Sequence, residues 1–256
     1  MRIELKIGDP GIDDRVRRPS RLSVVGGGLQ PAALLAALAI AFATAIVSAH
    51  GVAPKDARFL QTIDGVAVAP LMYLGAKHMV TGYDHLLFLA GVVFFLYRPA
   101  HIVLYVSLFT LGHSATLLAG AIGGIAANPY LIDAIIGLSV VYKAFENIGG
   151  FRRLLGWQPD SRAAVLVFGL FHGFGLSTKL QDLGLSRNGL VANIVSFNLG
   201  VEVGQMLALV VVLILLIYWR AHASYVRHAF LANAALMTAG FVLMGYQLAG
   251  YVLVGR

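Results

Sequence analysis

The stretch HMVTGYDHLLFLAGVVFFLY, residues 78–97, sets two histidines and an aspartate at the head of an apolar run long enough to cross a bilayer. A hydrocarbon core about 30 Å thick takes about 20 helical residues, and an ionisable group inside it is costly enough to mark function wherever it occurs. Runs of this length recur along most of the chain. Of its 256 residues 59% are hydrophobic and 12% are charged, with a mean hydropathy of +0.80, whereas a soluble domain carries about 25% charged residues. Such runs exceed a barrel strand, and a helix satisfies its own backbone in lipid. The expectation is an all-α integral membrane protein.

Outward from that stretch, the apolar pattern predicts a bundle of six transmembrane helices at about 78–97, 102–123, 130–148, 163–180, 190–218 and 229–253. Upstream, residues 15–31 are basic and Gly-rich and lead into AALLAALAIAFATAIVSAH, where Val47 and Ala49 stand at the usual cleavage offsets. Residues 1–49 therefore read as a signal peptide cut after Ala49, or as an N-terminal anchor. Residues 50–77, with Lys55, Asp56, Arg58 and Asp64, read as an extracytoplasmic segment, and 78–256 as the six-helix domain.

With the mature N-terminus outside, the inner loops hold Arg98, then Arg152, Arg153 and Arg162, then Arg220 and Arg227. The outer loops hold Lys179 and Arg187 against Asp182. That bias obeys the positive-inside rule and predicts a multi-pass protein of the bacterial inner (cytoplasmic) membrane. The net charge of +7 is thereby spent on topology, with no basic stripe of the kind nucleic acid requires. Cysteine is absent, which excludes disulfides and thiolate metal sites.

The ionisable groups inside the spans are the candidate site. His78 and His85 share a face of one helix at two turns' separation, with Asp84 turned about 100° from His85. His113 lies beside Ser114 in the second span, with Thr110 and Thr116 nearby, and His172 lies in the fourth. In the fifth, SFNLGVEVGQM places Asn198, Glu202 and Gln205 at i, i+4, i+7 as a polar stripe. Gly200 and Gly204, like Gly169 and Gly173 around His172, form pairs that let a neighbouring helix, or a second copy of the chain, come close.

Glu146 and Asn147 end the third span and are secondary pathway candidates, together with Asn198 and Gln205. Lys143 is expected to snorkel to the inner surface, and Asp133 to sit in a helix first turn. By depth these residues form a ladder, His78 outermost and Glu146 innermost, suited to passing a divalent transition metal or to relaying protons. Few Met residues lie near it, which argues against a Cu(I) path.

HMVTGYDHLLFL, FTLGHSATL, the span ending FEN, FGLFHGFGL and FNLGVEVGQ, in that order over about residues 75–210, resemble the HupE/UreJ family of membrane proteins tied to hydrogenase and urease maturation. The resemblance implies a signal peptide, six spans, and a nickel (or cobalt) permease. It implies metal contact by His78, Asp84 and His85. The family's hydrogenase-linked members tend to carry a second histidine and a glutamate after the FHG element. Here FHGFGLST supplies His172 alone, and the sequence looks closer to a branch in which Glu202 furnishes the carboxylate, leaving nickel, cobalt or zinc open.

The leading expectation is thus a non-enzymatic permease with the metal as substrate, lined by His78, Asp84, His85, His113, His172 and Glu202. Its expected surroundings are the bilayer and a hydrogenase or urease maturation system. Two alternatives stand beside it. One is an intramembrane hydrolase with zinc on three of the His and Asp groups and Glu202 as base. The other is an accessory subunit that hands metal to a larger complex, in which His50 would chelate at the mature N-terminus.

Overall fold

Asn128 accepts from the backbone N–H groups of Tyr130 (3.0 Å) and Leu131 (3.3 Å), and Pro129 fills the first helical position, so a long helix starts there. Asp160 caps the helix that begins at Ser161 in the same way, accepting from the N–H groups of Arg162 and Ala163, and Pro99 opens another. The computed structural model describes residues 54–182, 186 and 188–254. The expected leader, its cleavage at Ala49 and His50 lie outside the described residues.

Among the described residues there is no strand, and the helices run α1 (Pro54–Thr62), α2 (Val68–Thr81), α3 (Tyr83–Val93), α4 (Pro99–Gly123) and α5 (Pro129–Asn147). They continue with α6 (Gly150–Leu155), α7 (Ser161–Asp182), α8 (Leu190–Arg220) and α9 (Ser224–Leu253). Short α6 is bracketed by Gly149 and Gly156 at φ +73° and +75°, left-handed turns that open and close its single loop of helix.

Four of these, α4, α7, α8 and α9, are long and apolar enough to cross a membrane. The expected span 78–97 is not one helix. It is the end of α2 and the whole of α3, broken at Gly82, whose backbone leaves the helical region at φ −74°, ψ 100°. The segment 50–77 contains α1 and the first ten residues of α2. Asn193 of α8 sets where α2 begins, accepting from Ala67 N–H and donating to the Gly65 carbonyl, both at 2.8 Å.

Three helix pairs build the bundle through backbone contact at small residues. A Cβ on Gly200 or Gly204 of α8 would fall on the Met72 or Ala76 backbone of α2. On Gly169 or Gly173 of α7 it would fall on the Phe109 or His113 carbonyl of α4. The contacting residue numbers rise together, so both pairs are parallel. Gly137 of α5 meets Gly240 and Met244 of α9, while Tyr130 meets Gly250, so that pair is antiparallel. Of the two expected partners for the glycine faces, a neighbouring helix or a second copy, the structure supplies a neighbouring helix of the same chain.

The short helix α3 touches α4, α5, α8 and α9. Its C-terminal end is fixed by Arg220, whose guanidinium donates to the Val93 and Phe94 carbonyls at 2.6 Å each, and by the Tyr225 hydroxyl, 2.7 Å from Phe94 O. A cation there also complements the helix dipole.

Two apolar cores result. One gathers Phe88, Val92, Val106, Phe109, Val165 and Leu209, and the other Leu71, Met79, Leu117, Leu176, Ile194 and Phe197. On α4, α7 and α3, His113, His172 and His85 fall between the residues of one core and those of the other.

Candidate metal centre

The break at Gly82 makes the site. On a continuous helix His78 and His85 would stand about 10.5 Å apart along the axis, whereas their ring centroids are 5.2 Å apart. His85 is central to the group. His172 of α7 lies 5.2 Å from it and His113 of α4 6.3 Å, ring to ring. Asp84 Oδ1 is 3.1 Å from His85 Nδ1, without the alignment of a well-directed hydrogen bond. The imidazoles expected along a ladder thus gather within 6.3 Å of His85, ring to ring.

His85, His113 and His172 are buried at 4%, 2% and 1% exposure. Both ring nitrogens of His85, and Nε2 of His113 and His172, make no hydrogen bond of good geometry among the described residues. For His172 the reason is partly local, because Nδ1 lies 2.7 Å from the Phe168 carbonyl. A carbonyl can only accept, so Nδ1 carries the proton and Nε2 keeps its lone pair for a ligand.

Gly82 leaves the space on which the nearest donors converge. A Cβ built there would lie 2.6 Å from His85 Nδ1, 3.0 Å from His78 O and 3.1 Å from Asp84 Oδ1. Two imidazoles binding one ion hold their centroids no more than about 6.4 Å apart, from metal–nitrogen bonds of about 2.0–2.1 Å, and the three separations from His85 meet that bound. As the side chains stand, no three His, Asp or Glu groups among the described residues converge on one point at ligating distance.

A family model described as HupE / UreJ protein matches residues 54–255. The chain belongs to the HupE/UreJ family. Comparison with curated proteins and with solved structures yields no match.

In this HupE/UreJ chain the remaining candidates part company. The stripe on α8 faces α4: Asn198 Nδ2 donates to Ser114 Oγ at 2.9 Å, and Gln205 Oε1 accepts from Thr110 Oγ1 at 3.1 Å. Glu202 is half-buried and accepts from Asn198 at 3.4 Å, one step removed from the imidazoles. Asn147 donates to the Gly91 carbonyl and to Asn233 Oδ1, both at 2.8 Å, tying α5 to α3 and α9. Glu146 is paired with Lys143 at 2.8 Å.

Two expectations are corrected. Lys143 does not snorkel; it is 7% exposed and its ammonium is held by the carboxylate of Glu146, three residues on. Asp133 is not in a first turn, which begins at Pro129. It is buried and takes both its oxygens to Lys179 Nζ, 2.9 Å each. The Cβ position of Gly175, one turn past His172, is 3.7 Å from Asp133 Oδ1, so this pair flanks the imidazoles.

Sequence reasoning passed over the floor of the site. Phe88 lies 5.4 Å from both His172 and Phe109 and 5.9 Å from Phe168, and Phe109 lies 5.0 Å from His172. Beside it a void of ≈ 10 Å³, about the room for one water molecule, is lined by residues that include His85, Met79, Phe88, Tyr105 and Phe109. The available signal was the spacing of Phe88 and Phe168, one turn from His85 and His172.

Proposed function

We propose that this HupE/UreJ protein is a permease that carries a divalent transition-metal ion, nickel or cobalt, inward across the bacterial inner membrane. His78, Asp84, His85, His113 and His172 form its entry station, and Glu202 lies beside it. The observation that carries the reading is the gathering of four imidazoles and a carboxylate around a helix break, with lone pairs unused, between two apolar cores. Imidazole with carboxylate suits nickel, cobalt and zinc. Buried nitrogens without partners are costly until something binds them, and a cation satisfies several at once.

The looseness of the set favours transport over storage. Donors that must rotate to close on an ion bind it less tightly than a preformed tetrahedral site, and a conducted ion has to leave again. The incoming aqua ion exchanges waters for Asp84 and His85 beside Gly82, then for His113 and His172. His172 Nε2 is already in the ligating tautomer.

Six crossings account for the helix pairs. The broken α2–α3 unit counts as one, and α5, whose charges are neutralised by Lys179 on Asp133 and by the Lys143–Glu146 pair, as another. Strict alternation with the mature N-terminus outside then makes α4 and α7 parallel, α2 and α8 parallel, and α5 and α9 antiparallel. The family resemblance adds a hydrogenase or urease maturation system as the recipient of the metal.

Uptake of nickel and cobalt into cells or vesicles, with zinc, copper and manganese as comparators, tests the reading. His85→Ala should lower uptake by at least about tenfold at equal membrane expression, and unchanged uptake would overturn it.

A further inference from the structure

The entry station leaves unused a charged cluster at the C-terminal end of α5. Glu146 and Lys143 are both buried, and the ammonium stands 2.8 Å from Oε2. The carboxylate's other partners come from the segment leading into α7. Gln158 Nε2 is 3.0 Å from Oε1 and Ser161 Oγ is 3.2 Å from Oε2. Lys143 donates a second bond to Ser161 Oγ at 3.0 Å. Its stem crosses α3 at Gly91, where a Cβ would stand 3.3 Å from Lys143 Cγ, and its Nζ lies 5.9 Å from the centre of the Tyr105 ring.

Three features point to a cation. A buried carboxylate needs a positive partner, and the partner here is a compact charge on a flexible four-carbon arm, able to leave and return. The oxygens around it are a carboxylate, a hydroxyl and the Gln158 amide, whose rotation exchanges donor for acceptor. They suit a divalent ion that keeps part of its water shell. Lastly, Tyr105 lines the same void as His85, Phe88 and Phe109 and has Lys143 Nζ 5.9 Å from its ring centre, so this one ring adjoins both sites.

We infer that Glu146, with Ser161 and Gln158, is an inner station for the transported divalent cation, and that the Lys143 ammonium is its tethered occupant. The inference rests on the permease reading above. An ion that passes the Phe88–Phe109 floor displaces Lys143 from Glu146. The returning ammonium competes for the same carboxylate and prevents the ion from being trapped.

Cobalt(II) bound at equilibrium to the purified full-length protein tests this. Lys143→Met should hold about one further cobalt per chain than the wild type, and Lys143→Met/Glu146→Gln should not. Equal cobalt in the single and double variants would overturn the inference. The double variant removes both charges and leaves no orphan, so it also decides the matter if the single variant does not fold. Its nickel uptake should fall by at least about tenfold while the cobalt absorption that depends on His85 is retained, and wild-type uptake would count against the inner station. Should His85→Ala leave uptake intact, the permease reading falls separately. The extra cobalt of Lys143→Met is read by binding alone and does not depend on that result.

Discussion

Gly82 shows how one residue decides the site. A methyl group there would intrude between His85 Nδ1 and Asp84 Oδ1, and alanine would also favour a continuous helix by about 1 kcal/mol, drawing His78 away from His85. Gly82→Ala should therefore lower nickel uptake and cobalt binding by at least about tenfold, with melting of the detergent-purified protein little changed; wild-type uptake would show that the break is dispensable. The chemistry-bearing residues themselves were legible, because His78, Asp84, His85, His113 and His172 are ionisable groups in apolar runs. Gly82 was not, since nothing in HMVTGYDH distinguishes a helix break from one more small residue in a membrane helix. Asp133 was misread for a related reason, whereas the partner of Lys143 is Glu146, three residues on and within reach of a short-range pattern. Lys179 is 46 residues from the carboxylate it binds, and a short-range pattern cannot show that partner.

Among the elements, α8 carries the most information per turn. Its glycine pair was visible as a close-packing face, but not that the partner is α2 of the same chain. Gly200→Leu drives a side chain into the Met72 backbone and should cost about 3 kcal/mol or more, since backbone cannot yield as a side chain can. Gly245→Ala in α9 is the control: its Cβ would meet nothing within 4 Å, and alanine should leave the melting temperature unchanged or raise it. Thermal melts of the two purified variants compare them directly, and a Gly200→Leu protein as stable as the wild type would argue against the α2–α8 contact. The polar stripe was likewise recognised as a stripe. Its partners, Ser114 and Thr110 on α4, are fixed by which helix lies alongside.

For the whole molecule, the absence of cysteine makes orientation directly measurable. If the mature N-terminus is outside, Asn188→Cys before α8 should react with a membrane-impermeant maleimide in intact spheroplasts, and Arg153→Cys in α6 only after permeabilisation. The opposite pattern would reverse the proposed direction of the entry and inner stations. Hydropathy and charge by themselves determined a helical membrane protein and named most of the residues around its polar layer, because lipid penalises every charge that has no purpose there. Tertiary structure decided that the imidazoles gather around His85, that the glycine faces receive helices of the same chain, and that Asp133 meets Lys179 from another helix. The physical reason is common to all three. Burial cost is a property of a residue and can be read along the chain, whereas its compensation depends on groups that only packing brings within a few ångströms.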